Sequence, residues 1–201
     1  MRGFLLVCFC ATASCVLLQP FLKKAYSDFF GYLTNSIIYF VHLPFVTVVL
    51  LSEVGRVPTS VLAYFPVVVA TSVGVWVGVQ CMLLLQTNEA TYALLTMKES
   101  VPLGVGVVYN EIVHTLPVAT YALVYMTDGE AVRAAVAPRW QYVDLLGPLA
   151  ITALFATLNP NIDTFYKLNR TAVWLVGCAS LVATLLAAAA VRRALNKKAD
   201  I

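Results

Sequence analysis

Six apolar stretches dominate the chain, at residues 3–22, 32–51, 61–85, 101–126, 143–158 and 171–191. Each is close to the roughly 20 residues an α-helix needs to cross a hydrocarbon core, the fifth being the shortest. A segment immersed in lipid must satisfy its backbone N–H and C=O groups internally, which restricts such stretches to helices packed side by side. The connections between them are short, leaving no room for a separate soluble domain, and the chain has neither an internal repeat nor a low-complexity linker. The expected fold is an all-α integral membrane protein, a six-transmembrane-helix bundle forming one domain over residues 1–201. Composition agrees: 61% of the residues are hydrophobic and only 11% charged, far from the balance of a soluble domain.

Two stretches admit a second description. Arg2 followed by an apolar run, with the small residues Ala11, Thr12, Ala13 and Ser14, has the outline of a secretory signal. The run continues to Leu22, which favours a retained helix. The fifth stretch is expected to begin as early as Trp140, with Asp144 at its edge. Between the third and fourth stretches, Ala90, Ala93, Leu94 and Met97 fall on one helical face, so residues 88–98 form either a short helix lying on the membrane or a plain exposed loop.

Charge sets the orientation. Arg2, Arg56, Arg133, Arg139, Arg192, Arg193, Lys197 and Lys198 fall on one side of the alternating spans, and Lys23, Lys24, Lys98, Lys167 and Arg170 on the other. This bias favours cytoplasmic termini. The net charge of +3 suits a basic tail at an anionic leaflet. No basic face with interleaved aromatics occurs, which argues against nucleic-acid partners. Cys8, Cys10, Cys15, Cys81 and Cys178 lie within the spans without the Cys/His pairing of a zinc site, and are expected to be buried small apolar residues. Two histidines without a carboxylate cluster make a catalytic metal unexpected, and no cofactor motif is present. Asn169-Arg170-Thr171 is a glycosylation sequon on the expected lumenal side, close against the last span.

Within the spans, Pro44, Pro66, Pro117 and Pro148 each remove a backbone donor, and a helix kinked at proline can open an internal cavity. Gly74 and Gly78, one helical turn apart, permit close helix approach.

Polar chemistry concentrates in the fourth span. Asn110, Glu111, His114 and Thr115 interrupt an apolar run, and such groups are costly enough in hydrocarbon to mark a candidate site. On a helix Asn110 stacks under His114 and Glu111 under Thr115, four residues apart in each case. Asn110 is therefore expected to orient the imidazole. A neutral imidazole has one donor and one acceptor nitrogen, the state a general base requires. The hydroxyl best suited to it is Thr34, beside Asn35 at the start of the second span; the two spans enter from the same face. Taken literally, the span boundaries separate Thr34 and His114 in depth by about 16 Å at 1.5 Å per residue. Contact requires an earlier start to the second span, a later start to the fourth beyond Gly104 or Gly106, or helix tilt. His42 lies on the face of Asn35 and is expected to form a structural hydrogen bond in a second polar layer.

These residues carry a resemblance. Tyr32-Leu33-Thr34 opening the second span, Val61-Leu62-Ala63-Tyr64-Phe65-Pro66-Val67 opening the third, and Asn110-x-x-x-His114-Thr115 in the fourth resemble the androgen-induced family of six-span membrane threonine hydrolases. Glu111 and Leu158-Asn159-Pro160-Asn161 depart from its pattern. The resemblance implies hydrolysis of fatty acid esters of hydroxy fatty acids, with Thr34 as nucleophile and His114 as base, and lipids as substrate and surroundings. Asn110, Asn35, Glu111 and Thr115 would support that pair, Asn35 at the oxyanion. Residence would be the endoplasmic reticulum or plasma membrane. Two other classes fit the polar cluster: a non-enzymatic subunit of a large membrane complex, with the mitochondrial inner membrane as its alternative residence, and a small proton-coupled transporter using Glu111 and His114 as a relay.

Overall fold

Where the structure describes them, the apolar stretches are helical except at the Ala63-Tyr64 turn and at Val101-Pro102. The computed structural model describes residues 2–23, 34, 37–52, 56–96, 101–136, 141–158 and 170–196. In order these form α1 (Arg2–Lys23), a π-turn (Ile38–His42) running into α2 (Leu43–Leu51), the single turn α3 (Thr59–Leu62), α4 (Phe65–Leu85), α5 (Asn88–Leu95), α6 (Leu103–Val136), α7 (Gln141–Leu158) and α8 (Arg170–Asn196). No strand occurs among the described residues, and the fold is all-α. Asn35, Lys98, Asn169 and the Asn159-Pro160-Asn161 stretch lie outside the described residues.

Local chemistry fixes several boundaries. The Ala90 N–H donates to the Thr87 side chain at 3.2 Å, capping α5, and Glu89 sits in the first turn, where a carboxylate complements the helix dipole. The stretch after the third span is thus a short helix, with none of its residues buried. Pro44 and Pro66 occupy the first turns of α2 and α4, where the missing N–H would have had no helical partner. In a continuous α-helix the Pro44 ring would still clash with the carbonyl four residues back. The backbone upstream widens instead: the Leu43 N–H bonds to the Ile38 carbonyl, the five-residue spacing of a π-helix. Pro117 and Pro148 lie inside α6 and α7. The residue of α6 that leaves helical angles is Asp128 (φ −125°, ψ 21°). Its buried carboxylate accepts from Thr127 at 2.8 Å and lies 3.9 Å from the Arg2 guanidinium, which also donates to the Ser52 carbonyl.

Two helical stretches, Thr59–Leu85 and Thr171–Asn196, are long and apolar enough to cross a membrane, with mean hydropathies of 2.0 and 2.1. The other apolar helices are shorter over their described parts. α6 is long enough, but Asn110, Glu111 and His114 dilute its apolar run. Around Tyr121, the rings of His42, Phe45 and Phe65 stand edge-on with centroids 5.3, 5.9 and 6.3 Å away. The α4 face bearing Gly74 and Gly78 lies directly against Ser180 and Thr184 of α8, and the Ser180 hydroxyl donates to the Gly74 carbonyl at 2.7 Å. A Cβ on Gly74 would overlap the Thr184 hydroxyl, so the small-residue spacing serves packing. All five cysteines are free; Cys10 and Cys178 face outward rather than being buried as expected, because the helices carrying them turn apolar surface outward.

Candidate active site

Two cross-helix contacts set the register of the second span against α6. Thr34 meets His114, 80 residues on, and His42 meets Tyr121, 79 residues on. The second span therefore uses one residue more between its contacts than α6 does. Seven residues make about two α-helical turns, whereas eight overshoot the same face by about 80°. The π-turn at Ile38–His42 lies inside this interval and absorbs the extra residue. Without it, Thr34 and His42 could not both face α6.

The depth offset expected from literal boundaries is overcome, since Thr34 and His114 are in contact. α6 counts 34 residues and breaks helical angles at Asp128, so it is two helical pieces and not one straight rod. Its first turn runs beside α5, where Gly106 lies so close to the Leu95 carbonyl that a Cβ would overlap it. The helix itself begins at Leu103, before both Gly104 and Gly106, and reaches Thr34 about three turns later at His114.

The geometry of the pair is specific. Thr34 is buried, and its Oγ1 lies 3.1 Å from His114 Nε2. His114 Nδ1 lies 2.8 Å from the backbone carbonyl oxygen of Asn110. A carbonyl can only accept, so Nδ1 carries a proton; in the neutral ring Nε2 is then the acceptor and the Thr34 hydroxyl donates to it. This is the hydrogen-bonded polarity of a nucleophile and its base, within the usual reach of 2.6–3.2 Å for such a pair. Asn110 orients the ring as its four-residue spacing suggests, but through its main chain and not its amide. Any residue except proline keeps a similar carbonyl there, so the identity of Asn110 is not what the imidazole reads.

The second stacked pair makes a separate chain. The Trp76 indole N–H donates to Thr115 Oγ1 at 3.0 Å, and Thr115 Oγ1 donates to Glu111 Oε2 at 2.5 Å. Glu111 is exposed on the outside of α6, not buried within the bundle. Beside Thr34 and His114, Val16, Ile38 and Val113 form a small apolar cluster flanked by Cys15, Leu43 and Tyr109. Two helical turns away the second polar layer holds His42, whose Nδ1 lies 2.9 Å from the Tyr121 hydroxyl, and Ser72, which donates to the same hydroxyl at 3.5 Å. His42 makes the structural hydrogen bond expected of it. Tyr121 and Trp76 were not singled out from sequence. Tyr121 was within reach, lying two turns beyond His114 on the same face; Trp76 carries no such signal, because only the fold brings α4 beside Thr115. Among the described residues no group of His, Cys, Asp and Glu is arranged to hold a metal ion.

No protein-family model matches the chain, and no characterised protein or solved structure is detectably similar to it.

Proposed function

We propose that the chain is a membrane-embedded lipid ester hydrolase built on a six-helix bundle, with Thr34 as nucleophile and His114 as general base. The observation that carries this reading is the Thr34–His114 contact, with the ring tautomer fixed by the Asn110 carbonyl. In the proposed reaction the Thr34 oxygen attacks the ester carbonyl as its proton passes to His114 Nε2. The carbonyl re-forms as the alcohol leaves, taking that proton. Water, deprotonated by the same imidazole, then attacks the acyl-threonine, releasing the fatty acid and returning the proton to Thr34. Fatty acid esters of hydroxy fatty acids fit as the substrate class: an ester flanked by long chains partitions to the depth where the pair would lie.

Membrane embedding is supported by α8. The core helix of a soluble protein would be mostly buried, yet only 17% of the apolar window of α8 is buried inside the fold. Trp174, Leu175, Val182 and Leu186 are all more than half exposed. Apolar surface of that extent calls for an apolar surrounding. α1, α2, α6 and α7 complete the six spans in this reading, and residence in the endoplasmic reticulum or plasma membrane is its corollary.

The test is hydrolysis of such esters by the detergent-purified chain, with fluorophosphonate labelling as an independent readout. Thr34→Ala and His114→Ala should each lower the rate by about 10²–10⁴-fold, and the double variant should be no worse than either. Full activity in Thr34→Ala would overturn the mechanism.

A further inference from the structure

A cleft of ≈ 500 Å³ opens between the first turn of α7 and the last turns of α8, far along the chain from Thr34 and His114. Its walls differ in chemistry. Leu145, Ala188 and Ala189 make an apolar part, while Arg193 and Asn196 line it one to two turns further along α8, about 6–12 Å away. The volume lies in the range of small-molecule pockets. The apolar run of α8 ends near the cleft and the sequence continues with Asn196, Lys197 and Lys198, so the apolar part lies on the hydrocarbon side and the polar part on the headgroup side.

The charge of the cleft is organised from behind. Arg192 donates through Nη1 to the Val136 carbonyl at 2.9 Å and to Asp144 at 3.2 Å, with its side chain only 12% exposed. This pairing offsets the buried Asp144 carboxylate, which would otherwise repel an anion. The lining has two arginines against one aspartate, leaving Arg193, exposed at the wall, as the uncompensated charge of the three.

We propose that this cleft holds one anionic phospholipid, its phosphate against Arg193 and Asn196 and its first methylenes against Leu145 and the two alanines. The proposal rests on α8 spanning a membrane and not on the ester chemistry. Small side chains at Ala188 and Ala189 keep the cleft open, and a basic residue beside an apolar slot distinguishes an anionic lipid from a zwitterionic one.

The experiment is native mass spectrometry of the full chain in detergent with phosphatidic acid and phosphatidylcholine of matched acyl chains. The expected result is one phosphatidic acid retained per chain in preference to phosphatidylcholine. Arg193→Gln should weaken that retention about fivefold, as for the loss of one basic residue at an anionic surface. Ala189→Trp, at an exposed position, fills the cleft without changing charge and should abolish retention, with thermal unfolding checking that the fold is kept. Equal retention of both lipids would overturn the proposal. So would undiminished binding in folded Ala189→Trp, which would mean a diffuse attraction to the basic tail, or displacement of the lipid by millimolar inorganic phosphate, which would mean a site for the free anion. Loss of lipid binding with ester hydrolysis retained would separate this site from the Thr34–His114 pair.

Discussion

Adding one residue to the π-turn should disconnect the proposed nucleophile while leaving the deeper polar layer in place. An alanine inserted after Phe40 suits this test because Phe40 is 54% exposed and lies in the wide turn. The turn absorbs one surplus residue, not two, so everything N-terminal to the insertion rotates by about 100° and shifts by about 1.5 Å relative to His42. At the Cα radius of about 2.3 Å, Thr34 moves sideways by about 3.5 Å before its side chain is counted. A contact now 3.1 Å long cannot survive that displacement. Ester hydrolysis should therefore fall by about 10²–10⁴-fold, the usual contribution of a positioned general base. The control, deletion of Phe40 together with Pro44→Ala, places Thr34 and His42 seven residues apart in ordinary α-helix, about two turns, and should retain activity. The assay is turnover of a fluorogenic fatty ester by purified chain, with thermal unfolding in the same detergent to verify that the His42–Tyr121 layer still holds the helices together. Insertion and control proteins of equal activity would refute both the register argument and the role of Thr34.

Three further outcomes follow from the packing. Gly106→Ala should lower stability by about 1–3 kcal/mol because its Cβ overlaps the Leu95 carbonyl, whereas Gly104→Ala, with nothing within 4 Å, should not; thermal unfolding of the two side by side checks this. Tyr121→Phe removes the hydroxyl shared by His42 and Ser72 and should cost about 1–3 kcal/mol, read by denaturant or thermal unfolding, with hydrolysis largely preserved. Glu111→Gln keeps an acceptor for Thr115 while removing the charge from an exposed position, so hydrolysis and its pH profile should change little; a collapse of activity across the pH range would favour the proton-relay alternative.

Much of this arrangement is legible in the sequence because long uninterrupted apolar runs leave the backbone few options besides a helix. Residues 61–85 and 171–191 could hardly be anything but long helices, and a histidine with polar neighbours four residues apart on such a helix had to form a polar stripe. The Thr34–His114 pairing was accessible as an idea, but not its register. That depends on a one-residue surplus between Thr34 and His42, which becomes visible only when both partners on α6 are known. Asn110 reaches the imidazole through its carbonyl, a group that sequence, which displays side chains, does not distinguish from one residue to the next. Trp76 and the Asp144–Arg192 pair depend on which helices become neighbours, and periodicity within one helix carries no record of that.

The contact between Ser180 and the Gly74 carbonyl joins residues 106 apart in the chain, which has a consequence for biosynthesis. At about 5–20 residues per second, α4 is made roughly 5–20 s before the helix that packs against it. Its glycine face must wait uncovered through that interval, and it can do so because the Gly74 carbonyl is already served by the helix of which it is part. The hydroxyl of Ser180 adds a second bond to a group that needed none. Thr34, Trp76, His114 and Thr115 have all been synthesised by then. α8 thus packs onto helices whose proposed catalytic residues precede it in the chain, and its arrival completes the cleft between α7 and α8.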